Sequence, residues 1–92
     1  MTAQTYRQLF GRFRRSESGK MAKSILFKNQ LGLCCGCKKA VSIGNLEIHH
    51  LVPVKELEKN LDIANLTNIN NLVLLCRSCN ASQGCKIDNR FT

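Results

Sequence analysis

Two cysteine pairs constrain this chain more than any other feature. Two residues separate Cys34 from Cys37 and Cys76 from Cys79, and 38 residues lie between the pairs. The short gap lets both sulfurs of a pair face one ion across a tight turn, and Gly36 eases the first turn. Four thiolates are the number that tetrahedral zinc takes. With 92 residues the chain has length for one small domain, and domains of that size often need a staple beside their core. Aromatic residues are few (one Tyr, four Phe, no Trp), so a large aromatic core is not available. We read the four cysteines as a structural zinc site; disulfides or a redox Cys-x-x-Cys are the alternatives. Cys35 sits inside the first knuckle, and Cys35-x-Cys37 is too tight for a usual zinc pair. Cys35 and Cys85 are read as spare thiols, with exchange of Cys35 into the site left open.

The compartment bears on that choice. The opening stretch MTAQTYRQLFGRFRRSESGK has no apolar signal region, and no apolar run is long enough to span a membrane. A cytoplasmic, reducing setting is expected, where disulfides are disfavoured. The charge points to a polyanion: 14 Lys and Arg stand against 6 Asp and Glu, a formal charge of +8. Residues 1–28 hold Arg7, Arg12, Arg14, Arg15, Lys20, Lys23 and Lys28 against Glu17 alone. Nucleic acid is the obvious partner for such a segment; a solvated helix face is the competing reading.

Patterning gives a coarse α+β layout. Tyr6, Leu9, Phe10 and Phe13 recur at helical spacing and predict an amphipathic helix over residues 3–14. Residues 16–19 read as a break with an N-cap, and a second helix is expected from Lys20 to Gln30, closed by Leu31-Gly32. Leu46 to His50 alternates like a strand that Pro53 should end. Val54, Leu57 and Leu61 are spaced for a short helical turn. Five Asn between 60 and 71 favour loop structure. Leu72 to Leu75 is an apolar strand, and Arg77 to Gln83 a short helix ended by Gly84. Knuckle, hairpin and a helix carrying the second pair make a treble-clef-like arrangement. No internal repeat is visible.

His49 and His50 are the only histidines and stand in tandem. Neighbours on a regular strand point to opposite faces. For both to serve one site, the strand must end or bulge here, which Pro53 soon afterwards allows. One imidazole can then hold a metal while the other stays free as a base near neutral pH.

Three stretches together resemble the HNH endonuclease family: Leu46-Glu47-Ile48-His49-His50-Leu51-Val52-Pro53, Asn71-Leu72-Val73-Leu74-Leu75-Cys76-Arg77-Ser78-Cys79-Asn80, and Cys34-x-x-Cys37. The likeness covers residues from about 20 to 87, including the step from Asn71 to Asn80, and leaves residues 1–19 outside. It implies a ββα-metal nuclease domain (20–92) behind a basic N-terminal helical arm (1–19). It implies hydrolysis of DNA phosphodiester bonds with one catalytic divalent cation, leaving 5′-phosphate and 3′-hydroxyl ends. By position, His49 and Asn80 correspond to ligands of that cation and His50 to the general base. Asn71 corresponds to the Asn that braces the loop between the strands. Cys34, Cys37, Cys76 and Cys79 match the structural zinc of the zinc-bearing branch.

One departure has a physical consequence. Members with Asn in the last position often pair it with Asp in the first; here His49 and Asn80 are both neutral. Hard cations prefer carboxylate oxygen. The site should therefore hold Mg²⁺ weakly until phosphate oxygens complete the shell, and imidazole opens it to Mn²⁺, Co²⁺ or Ni²⁺. Glu47, two residues before His49, can share its face as an outer partner, or stand as an exposed strand carboxylate. Arg14, Arg15, Lys38, Lys39, Arg77 and Lys86 are the cations read as DNA contacts, against plain solvation. The apolar face of residues 6–13 is read first as packing on the nuclease core, with homodimerisation as another use. A non-catalytic zinc module that binds nucleic acid is the alternative function.

Overall fold

The computed structural model describes residues 5–83. Helix α1 (Tyr6–Arg15) opens on a capping box. The Thr5 hydroxyl accepts the Gln8 N–H at 3.1 Å, and the Thr5 N–H donates to Gln8 Oε1 at 2.9 Å, which satisfies two otherwise orphan donors. Arg12, Arg14 and Arg15 occupy its last turn, where the helix dipole favours cations. Ser16 then closes α1 and starts α2 (Glu17–Asn29): its Oγ donates to the Phe13 carbonyl at 2.6 Å and accepts the Gly19 N–H at 3.2 Å.

The expected break over residues 16–19 thus shrinks to one residue, and α2 begins three residues earlier than its periodicity suggested. Gly19 makes this corner feasible, because a Cβ there would sit 2.0 Å from the Phe13 carbonyl oxygen. Leu31 (φ 57°) and Gly32 (φ 73°) end the helix with left-handed backbone, as the Leu31-Gly32 signal indicated.

Strands β1 (Leu46–His50) and β2 (Leu72–Cys76) form an antiparallel pair in which Leu46 faces Cys76 and His50 faces Leu72. Between them run α3 (Val54–Lys59) and two 3₁₀ turns (Ala64–Leu66 and Ile69–Asn71). Helix α4 (Arg77–Gln83) follows β2 directly. The core gathers Leu26, Cys34, Cys35, Leu46, Leu72, Val73, Leu74, Leu75 and Cys79. Leu57 and Leu66, also fully buried, fold the β1–β2 connection down. Leu61 departs from expectation: it is 81 % exposed with φ 54°, because α3 stops at Lys59 before its periodicity reaches Leu61.

A two-stranded sheet leaves an open edge, and Gln30 closes part of it. Its Oε1 accepts the Leu74 N–H at 2.8 Å, and its Nε2 donates to the carbonyls of Leu74 (3.1 Å) and Leu33 (2.8 Å). The side-chain amide acts as a one-residue strand against fully buried Leu74. Gln30→Ala is expected to lower stability by about 1–3 kcal/mol, the cost of a buried unpaired amide. Urea unfolding checks this: an unchanged midpoint would mean that water replaces the amide without loss.

Candidate active site

The four paired cysteines converge. Their Sγ atoms all lie within 4.8 Å of one another, and Cys37 and Cys76 face each other at 4.0 Å. Ligands on a tetrahedral zinc at about 2.3 Å sit close to that spacing, so the donor set fits the ion and can hold it. Cys34 Sγ also receives the N–H groups of Gly36 (3.3 Å), Cys37 (3.5 Å) and Cys76 (3.3 Å). Burial pushes the Cys34 thiol up, but those three donors outweigh it and bring it down to about 6. Cys79 moves the other way, to about 12, through burial first and then its neighbouring thiols. The Cys34 thiolate forms readily while Cys79 beside it resists, as coupled sites in a close cluster do.

Gly36 lets the knuckle approach α4: a Cβ there would meet Cys79 Sγ at 3.1 Å. Cys35 points elsewhere, buried in the core and outside the cluster, with its N–H on the Leu74 carbonyl at 3.0 Å. No disulfide joins the described cysteines. Cys85 lies outside the described residues.

Both histidines lie on the last two residues of β1, in regular register opposite Val73 and Leu72. No bulge is needed, since the strand simply ends there. They share a cleft of about 400 Å³ with Asn80 from α4. His49 Nδ1 lies 3.1 Å from Asn80 Oδ1. The Asn80 amide is oriented by Glu47, because a carboxylate only accepts: Nδ2 donates to Glu47 Oε1 at 2.9 Å, which turns Oδ1 toward His49. Glu47 is thus an outer partner of Asn80 and not merely an exposed strand residue.

His49 Nε2 is buried with no hydrogen-bond partner. One tautomer strands a bare lone pair at Nε2. The other strands an N–H there and sets two lone pairs, Nδ1 and Oδ1, against each other. His49 and Asn80 could hold a divalent cation, which would relieve that opposition.

His50 is buried. Its Nε2 is 2.8 Å from the Leu66 carbonyl. A carbonyl only accepts, so Nε2 carries the proton and Nδ1 carries the lone pair. Burial lowers its pKa below the ordinary 6.5; the Leu66 carbonyl opposes this and the neighbouring His49 adds to it. The Phe10 ring meets the imidazole edge-on with centroids 4.3 Å apart.

Asn71 is buried and ties the β1–β2 connection together. Its Oδ1 accepts the Val52 N–H at 2.8 Å, and its Nδ2 donates to the carbonyls of Asn65 (2.9 Å) and Val52 (3.3 Å). Since the Asn65 segment runs on to Leu66, this brace also sets the carbonyl that orients His50.

The cations expected to meet DNA are more scattered. Arg14 and Arg15 are exposed at the end of α1, and Lys38 and Lys39 are exposed in the knuckle. Arg77 is exposed and lies 3.9 Å from Glu47, a pairing of small energetic weight in solvent. Lys86 lies outside the described residues. Arg7 and Lys55 line the cleft, and Phe10 packs against His50, unannounced by any motif. The only hint was that the apolar stripe of α1 required burial.

The HNH endonuclease family model matches residues 33–86, more than half of the chain. The chain belongs to the HNH endonuclease family, on an α+β scaffold with a four-cysteine cluster. No curated protein and no solved structure matched it. Among the described residues no helix is long and apolar enough to cross a membrane.

Proposed function

We propose that this protein is a metal-dependent DNA endonuclease in which His50 activates water and His49 with Asn80 holds the catalytic cation. The observation that carries the reading is the pairing, in one cleft, of a neutral His50 with its Nδ1 lone pair fixed and an Asn80 oxygen turned onto His49. Family membership supports nuclease chemistry and DNA as the substrate.

Hydrolysis of a phosphodiester needs a deprotonated water in line with the departing oxygen, and charge stabilisation at that oxygen. His50 Nδ1 takes the proton. The Leu66 carbonyl steadies the charge that then develops on the imidazolium through Nε2–H. Asn71 holds the loop that supplies this carbonyl. The bound divalent cation, Mg²⁺ or Mn²⁺, with Co²⁺ and Ni²⁺ as softer options, supplies Lewis-acid stabilisation of the phosphate. Cys34, Cys37, Cys76 and Cys79 hold zinc, which fastens α4, with Asn80, against β1, with the histidines. The zinc cluster itself has no role in the chemistry.

The test is plasmid nicking across a panel of divalent cations, with analysis of the product ends. The expected result is metal-dependent cleavage leaving 5′-phosphates. A protein that binds DNA yet stays inert with every cation would instead be a zinc-stapled binding module.

Glu47 gives this reading a second handle. Glu47→Ala frees the Asn80 amide to turn its nitrogen toward His49, and loss of such outer partners typically costs about 10–100-fold in metal affinity or activity. Titration of Mn²⁺ in the nicking assay should show a correspondingly higher metal requirement, partly restored in Glu47→Gln through its remaining carbonyl acceptor. A Glu47→Ala protein with the wild-type metal requirement would remove Glu47 from the site.

A further inference from the structure

The cleft that holds His49, His50 and Asn80 is completed by two cations from elements outside the family match or between its motifs. Its lining includes Arg7 of α1 and Lys55 of α3, and no Asp or Glu. Neither side chain makes an ion pair or hydrogen bond among the described residues. Helix α1 is held in this place at three points. The Tyr6 N–H donates to Glu58 Oε2 of α3 at 2.8 Å. Phe10 lies against His50. Gly19 allows α2 to abut the last turn of α1. Arg7 and Phe10 are three residues apart, hence neighbours on one face of α1. Glu58 lies further along, in an adjoining groove with Thr5, Arg7, Val54 and Lys55.

Two cations without carboxylate partners among the described residues, opening onto His49, His50 and Asn80, define a site for an anion. A guanidinium supplies a fixed fork of donors to phosphate oxygens, and an ammonium a point charge. Resting on the nuclease reading of this cleft, we propose that Arg7 and Lys55 together seat a DNA backbone phosphate beside the one being cleaved. The N-terminal helix is then part of the substrate site.

Three measurements on the full chain test this, with Arg7→Ala, Lys55→Ala and Arg7→Lys compared against Lys28→Ala, whose side chain lines a different surface at the end of α2. Duplex DNA binding without added divalent cation is followed over a salt series. Arg7→Ala and Lys55→Ala should each weaken binding and flatten the log–log salt slope by about one, the signature of one lost phosphate contact. Lys28→Ala should keep the wild-type slope. In steady-state nicking, the two cleft variants should raise KM roughly tenfold and change kcat by less than about threefold, as loss of uniform binding requires. Arg7→Lys should recover part of the binding and keep the slope.

Wild-type slope and KM in Arg7→Ala would overturn the seat. So would a fall in kcat and melting temperature together that Arg7→Lys fails to restore, which would make Arg7 a packing residue only. If the wild type stays inert with every cation tested while Arg7→Ala and Lys55→Ala still flatten the slope, the nuclease reading fails and the phosphate seat stands.

Discussion

Stripping the metal from the four-cysteine cluster is expected to unfold the domain. The cluster is where knuckle, β2 and α4 meet, and it draws Cys34 and Cys79 into the same core as Leu72 to Leu75. Structural zinc contributes about 10–16 kcal/mol in small peptides, against roughly 5–15 kcal/mol for the whole stability of an ordinary domain. Losing the ion therefore removes a free energy as large as the fold's own. Without it, four sulfurs remain crowded within 4.8 Å, Cys34 with its pKa lowered and Cys79 with its pKa raised.

Far-UV circular dichroism with a zinc chelator should show loss of the cooperative melt, and Cys79→Ser should reproduce it with a substoichiometric zinc content. Cys35→Ala is the contrasting variant. Cys35 is buried but stands outside the cluster, so it should retain one zinc per chain and a cooperative melt lowered only by the loss of a small side chain. A chelated protein that melts like the untreated one would show that the apolar core suffices and the cysteines are dispensable.

The contrast between Cys35 and its neighbours marks what could be read from the residues alone. Spacing determines which thiols reach one point, so the cluster and the spare Cys35 were legible. The two strands, the Leu31-Gly32 stop and the short C-terminal helix were legible for the same reason: each rests on local pattern. Helix boundaries near Ser16 were not, because the corner depends on Gly19 lying against the Phe13 carbonyl, a contact between two helices. Leu61 shared a helical spacing with Val54 and Leu57 yet ended exposed, since the helix terminates at Lys59 first.

Gln30 was opaque for another reason. A glutamine on a helix end carries no sign that it will meet the edge of a strand 44 positions later. In the site, His49, His50, Asn71 and Asn80 could be placed by motif, and Glu47 by its strand parity with His49. Arg7, Phe10 and Lys55 could not, because they arrive through docking of α1 and α3 and no short-range pattern encodes that docking.

His50→Ala is expected to abolish nearly all cleavage while leaving the fold and DNA binding in place. General-base loss costs on the order of 10²–10⁴-fold, and the structure indicates why this base should lie toward the upper end. Its proton-accepting Nδ1 is preset by the Leu66 bond at 2.8 Å, and the Phe10 ring packs on the imidazole, so water finds no equivalent orientation once the ring is gone.

The pH dependence gives an independent check. On the proposed mechanism cleavage needs neutral His50, and burial holds its pKa below 6.5. Lowering the pH from 8 should therefore leave kcat/KM flat past 6.5 before it falls by about tenfold per unit, and the limb should vanish from the residual activity of His50→Ala. A nearby divalent cation pushes in the same direction, since it disfavours a second positive charge. An acid limb centred above 6.5, or a His50→Ala protein that nicks as fast as wild type, would take the base role away from His50. The cleft would then have to activate water through some other group, and among the described residues its remaining lining (Arg7, Ile48, His49, Pro53, Val54, Lys55 and Asn80) offers only His49 as a base near neutral pH. The two histidines would exchange duties, and the spectator Nε2 of His49 would become the atom to follow.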